Sequence, residues 1–346
     1  MGANITFVVK ASLAIFLALA IPTAMAQLAG ARQSSETFAN AARAQNVFDQ
    51  YKLSGRRSAA AEAQLIEILN LRLPRSEANT IAIRNLLASP STPNEQIGLI
   101  RLLATQYERG NPTGKNQLII QDLRVLSASA ESNVARAATF AFTRLGYLPG
   151  FEEVLGNAFK TSMLTQDEYF GEIAHVVAFA PSSDQARLAR ALRQSKNSYA
   201  AEIVAMQINS AVLPATWSTE ARGEIGLLLE ATEPVFPQAA GLYDLMAAVR
   251  YANWLNALAT VRASVLNKEG AEFILNRLND PGIDSRKVMA FLDSEYGPKL
   301  FQLIGEKARF RVVFEKISLY SNQHPQSGDM KEAVAEVAAR LNQMPR

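Results

Sequence analysis

The stretch from Lys115 to Phe159 constrains the fold most, because apolar stripes of helical period follow one another there with only short breaks. Val134, Ala137, Ala138, Ala141, Phe142 and Leu145 share one face of a helix with about 3.6 residues per turn. A helix this apolar along one side has to be covered by a neighbour. Ile119, Leu123 and Leu126 offer a matching face just before it, and Phe151, Val154, Leu155, Ala158 and Phe159 another just after. The expectation is helices stacked in sequence order. Ala137, Ala138 and Ala141 are expected at the tightest contact, where axes approach to ~8 Å.

The run Glu131, Val134, Arg136, Ala137, Ala138, Ala141, Phe142, Leu145 and Gly146 resembles the second helix of a HEAT repeat. The resemblance covers about one repeat, residues 115–160. Ala135 stands where that family usually carries Arg directly after the Val, and no first-helix Pro lies between Lys115 and Leu126. The resemblance implies an all-α fold, an α-solenoid of stacked antiparallel helix pairs that binds a protein or peptide on its concave surface. The Trp, Gly and Tyr positions of a tetratricopeptide array do not recur at that family's period.

The N-terminus reads as an export signal. Lys10 is the only charge before the apolar run Ala11 to Ile21, Pro22 follows, and Ala24, Met25 and Ala26 form a small-residue cleavage pattern. The expected divisions are a signal peptide over 1–26, a flexible leader over 27–35 and a single helical-repeat domain over 36–346. Cleavage near Ala26 would place the mature chain in the periplasm or outside the cell. The apolar run falls short of the about 20 residues a membrane helix needs, and no later uncharged stretch reaches that length, so no transmembrane segment is expected in the mature chain.

With no cysteine, disulfides, thiolate metal sites and thiol catalysis are excluded together, and stability must come from packing. Loss of the signal peptide removes Lys10 alone from 35 basic residues, leaving 34 against 32 acidic ones. So small an excess makes no chain-wide basic field, and no nucleic acid is expected as a partner.

Helical patterns are expected over about Thr37–Lys52, Ala59–Leu71, Ala78–Ala88 and Asn94–Arg109, with breaks at Ser54-Gly55, Leu73-Pro74, Ser89-Pro90 and Gly110-Asn111-Pro112. Pro93 suits a first helical turn. Later stripes are Phe170, Ile173, Ala174 and Val177; Ala200, Ile203 and Val204; Ile225, Leu228 and Leu229; Leu242, Leu245, Met246 and Val249; Val288, Phe291 and Leu292; Phe310, Val313, Phe314 and Ile317; and Val334, Val337, Ala338 and Leu341. Asp184 and its neighbours should cap one helix, and Thr219 another. Each helix pair takes roughly 35 to 45 residues.

No constellation for chemistry emerges, and neither an enzyme nor a cofactor is expected. Gly110, Gly114 and Lys115 miss the phosphate-loop spacing by one residue, and Asn116 replaces its Ser or Thr. With only His175 and His324 present, few Ser-His-acid arrangements can form. Glu172 and His175, with Glu168 a turn earlier, have the Glu-x-x-His spacing of di-iron bundles, but a second such motif is missing and no metal is expected. Arg187, Arg190 and Arg193 make a basic strip able to meet a carboxylate, although such runs are usually solvated faces. Tyr243, Tyr251 and Trp254 concentrate aromatics that either anchor a partner or fill the core. These six residues are the candidate binding positions. The expected function is an exported scaffold for a protein or peptide; the alternatives are an enzyme or accessory acting on envelope or cell-wall polymer, and a structural subunit of an envelope assembly.

Overall fold

The computed structural model describes residues 37–53, 59–89, 92–110, 114–210, 216–236, 244–323 and 328–343. The export signal, the leader and the cleavage position lie outside them, as do Tyr243, Leu242 and His324. The protein is all-α: seventeen α-helices and no strand occur among the described residues. They are α1 (37–53), α2 (Ala59–Leu71), α3 (Glu77–Leu87), α4 (Pro93–Thr105), α5 (Gly114–Ser127), α6 (Ser132–Thr143), α7 (Phe151–Lys160), α8 (Gln166–Val176), α9 (Ser182–Ser195), α10 (Ser198–Ser210), α11 (Thr219–Ala231), α12 (Leu245–Ala263), α13 (Lys268–Asn279), α14 (Ser285–Asp293), α15 (Gly297–Ile304), α16 (Arg311–Gln323) and α17 (Gly328–Asn342). None of the described helices is long and apolar enough to cross a membrane.

The chain divides into two compact units on either side of the Leu145–Gly146 bond. In the first, α2 packs on α4 and α4 on α6, while α3 lies against α5. In the second, α8, α10, α12 and α14 follow one another side by side, α9 packs on α11, and α13 on α15. Alternate helices therefore share a layer within each unit. Two glycines admit a side chain of a neighbouring helix: a Cβ on Gly98 would come within 2.8 Å of Leu65 Cδ1, and one on Gly171 within 2.8 Å of the Tyr199 ring.

Helix starts follow from short polar side chains that accept backbone N–H groups. Ser76 caps α3, and Thr92 caps α4 with Pro93 in the first turn. Thr165 and Glu168 close a reciprocal capping box on α8. Two cap expectations shift. Ser218, one residue before Thr219, caps α11, and Pro181 precedes α9 with no side-chain cap.

The phase of two stripes also differs from expectation. In α6, Val134, Ala138 and Phe142 are buried as expected, but Ala137 and Ala141 are only half-buried. Ala135, Thr139 and Thr143 are buried in their place. The threonines can turn inward because each hydroxyl bonds a carbonyl of its own helix, Thr139 to Ala135 at 2.9 Å and Thr143 to Phe140 at 3.2 Å. In α12, Leu245, Met246 and Val249 are 66%, 63% and 47% exposed rather than inward. The stronger face is the one through Ala248, Tyr251, Ala252, Leu255 and Leu258, all buried, and it wins the core.

The phase of α6 is testable by substitution. Phe142→Ala is expected to cost ~3–5 kcal/mol through a cavity, and Ala138→Leu ~1–3 kcal/mol through overpacking. Ala141→Leu, at the rim, should stay within about 0.5 kcal/mol of wild type. Urea unfolding followed by circular dichroism checks all three; equal costs at 138 and 141 would contradict the observed phase.

Candidate interaction surface

The arginine strip sits on α9, and its charges are met inside the second unit. Arg187 pairs with Glu152 of α7 through two bonds of 2.5 and 2.7 Å and with Asp184 at 2.9 Å. Arg190 reaches Glu220 and, at 3.2 Å, Glu224, both on α11, and Arg193 bonds the same Glu224. The strip thus ties α9 to both neighbours. The Arg187 guanidinium holds the Glu152 carboxyl below its ordinary value of 4.5 against the opposing effect of burial, with the Tyr147 hydroxyl assisting. Burial pushes Glu224 up, yet the bonds from Arg193 and Arg190 outweigh it and bring that carboxyl below the ordinary value.

Of the aromatic positions, Tyr251 and Trp254 lie in the core, and Tyr243 is outside the described residues. Tyr251 and Trp254 are buried with ring centroids 5.4 Å apart, and Phe236 meets Tyr251 edge-on at 6.0 Å. The Trp254 Nε1 donates to the Leu229 carbonyl at 2.6 Å, which locks α12 to α11. Burial pushes the Tyr251 hydroxyl well above its ordinary value. These rings hold helices together, and Trp254 also lines the cleft between α10 and α12. Glu168 is engaged in its capping box, Glu172 is buried, and the His175 carbonyl accepts from Gln207 at 3.0 Å. Among the described residues no three of His, Asp and Glu gather where a metal ion could sit.

What the second unit does present is a cleft of about 610 Å³ between α10, the segment after α11 and the first half of α12. Helices α10 and α12 run in the same direction, because Glu202 pairs with Arg250 at 3.3 Å and Asn209 bonds both Asn253 and Asn256 further along. Ala201, Ala205 and Ala247 line it without filling it. Met206, Met246 and Val249 stand exposed along its walls, and Val235 closes one end at 85% exposure.

Behind that end lies a second cleft of about 630 Å³ whose charges close on one another. Glu233 accepts from Arg277 and from Lys287, each at 2.6 Å, and Arg286 forks onto Asp284. The segment bearing Val235 is pinned by those two ion pairs and by buried Phe236. Sequence reasoning missed the α10–α12 cleft because it assigned Met246 and Val249 to the core. The usable signal was the longer alanine-rich face of α12, which left those two residues over.

The class defined by the fold is an all-α protein of packed helices. Comparison with protein-family models, with characterised proteins and with solved structures returns no match.

The Glu152–Arg187 pair sets an acid dependence. A carboxyl held low in the folded state contributes fully above its unfolded value, here the ordinary 4.5, and loses that contribution as the pH falls below it. Both partners are about half exposed, so Glu152→Gln should cost only ~0.2–1 kcal/mol at neutral pH. It should also shrink the fall in melting temperature between about pH 5 and about pH 3. Thermal melts across that range check it; an unchanged acid limb would show that the pair contributes nothing.

Proposed function

We propose that the protein is an exported helical-repeat scaffold, a HEAT-like α-solenoid, that binds a protein or peptide partner and carries out no chemistry. Export rests on the leader pattern ending at Ala26. The observation that carries the binding reading is the α10–α12 cleft, where four large apolar side chains stand in water around a floor of small ones. Leaving them there has no benefit to the isolated chain, and an apolar patch on a polar rim is the usual mark of a binding surface.

The occupant that fits is an amphipathic helix laid between α10 and α12. Alanines leave depth for its apolar residues, and the flexible thioethers of Met206 and Met246 can repack around them. The Glu202–Arg250 pair on the wall gives its polar flank a partner of either sign.

Met206→Glu with Val249→Glu places two charges where the apolar face would dock, at positions already exposed and so of little consequence for folding. The experiment is crosslinking capture from a native envelope fraction, with wild type and the double variant as baits. The expected outcome is a partner identified with wild type and lost with the variant while melting temperatures agree. A partner retained by both would remove the cleft from the reading. No partner with either bait would count against the scaffold function itself.

A further inference from the structure

Among the described residues, solvent reaches oxidisable sulfur freely only in the α10–α12 cleft. The chain has no cysteine, so its sulfur is all in methionine thioethers. Of the methionine side chains described, Met289 of α14 is fully buried, Met163 is half-buried, and Met206 and Met246 are 59% and 63% exposed. Both exposed ones line this cleft, Met206 from α10 and Met246 from α12.

Their spacing follows from the parallel run of the two helices. Glu202 and Arg250 pair between the walls at 3.3 Å, with Met206 one turn after Glu202 and Met246 one turn before Arg250. At 1.5 Å per residue the two thioethers are offset by about 12 Å along the helix axes, on either side of that ion pair. A helix laid between the walls runs past both. Leucine would give each wall much the same apolar volume and is inert to peroxide, whereas methionine brings a sulfur that is not.

Hydrogen peroxide converts an exposed thioether to the sulfoxide. The sulfur lone pair attacks one peroxide oxygen, the O–O bond breaks as the S–O bond forms, and the other oxygen leaves as water. Sulfur loses two electrons and the peroxide gains them. The product is a polar, chiral group in place of an apolar one. Covering that group with an apolar surface that offers no donor opposes docking. Met289 is shielded by the core, so the helices around it keep their packing. A thiol-dependent sulfoxide reductase reverses the step, two thiols becoming a disulfide as the oxygen leaves in water.

We propose that Met206 and Met246 form a reversible oxidation site that makes the cleft unfit for apolar ligands in the presence of peroxide. As a control over partner binding it rests on the scaffold reading above, whereas the response of the cleft itself does not.

The test treats the full chain with dilute hydrogen peroxide and uses the neutral apolar dye Nile red as the probe. The cleft's share of dye binding is the part missing from the Met206→Glu with Val249→Glu variant. Mass spectrometry of proteolytic fragments is expected to show sulfoxide at Met206 and Met246 well before Met289, with the melting temperature unchanged. The cleft's share should then weaken about tenfold, matching the loss of one buried methionine's apolar contribution, and recover with the reductase. A Met206→Leu with Met246→Leu variant, whatever its starting affinity, should bind the dye equally before and after peroxide. Oxidation of Met289 as fast as of the cleft pair would overturn the proposal. So would dye binding unchanged by peroxide, no cleft share in untreated wild type, or an equal loss in the leucine variant. Loss of the dye on oxidation, alongside an envelope capture that yields no partner, would keep the oxidation site and remove only the scaffold reading.

Discussion

A helix with one apolar stripe cannot keep that stripe from water unaided, and with no strand among the described residues and no cysteine in the chain the only cover is another helix. That requirement fixes the rest. α6 is buried by α4 and α5, and α12 by α10, α11, α13 and α14. Where two helices must come nearest, a side chain is deleted: Gly98 admits Leu65, and Gly171 admits Tyr199. Burial supplies the attraction, and small residues set how close it acts.

Polar bonds fix the register that burial leaves open. Hydrogen bonds between helix pairs recur along the chain, across 30 residues for Ser76 to Gln106, 38 for Arg84 to Asp122 and 44 for Tyr51 to Glu95. The same role passes to different chemistry along the chain. Gln106 accepts the backbone N–H of the residue capping α3, and Gln185 does the same for the cap of α11. Asn197 reaches Asp167 at 2.6 Å while its own Oδ1 accepts from Ala200. One buried carboxylate is less well served: Glu95 accepts from the Tyr51 hydroxyl, and its second oxygen has no partner. Such a group costs stability, but it ties α1 to α4 through a directional bond that an apolar pair would lack.

Much of this was legible in the residues. Helix existence followed from period and from Pro, Gly and capping residues, and boundaries mostly came within one or two positions, as at Pro93 and Phe151. Asn94–Arg109 ran longer because nothing in its apolar pattern marks the end at Thr105. The phase of a helix was less legible. Period gives a face, but α12 has two candidate faces, and only contact with α10, α11 and α14 decides between Met246 with Val249 and Tyr251 with Leu255. Pairing of charges was illegible for a like reason: Arg187, Arg190 and Arg193 look like an open strip until Glu152, Glu220 and Glu224 arrive from helices roughly 30 residues away, about the separation of successive helix pairs.

The second unit closes most of its charges on one another and buries most of its large apolar side chains, so the apolar side chains left exposed around one cleft are its main exception. Ion pairs neutralise one arginine after another, alanines and aromatics are packed away, and glycines are placed where neighbours press. Selection for stability alone would treat the remaining positions in the same way, with a polar residue at Met206 or Val249. Each departure from that pattern leaves a cost inside the chain with no internal return. At the α10–α12 cleft the departure is a set of apolar walls around a floor of alanines. The physical demand there is for an apolar surface that covers Met206, Met246, Val249 and Val235, which no other described part of the second unit supplies.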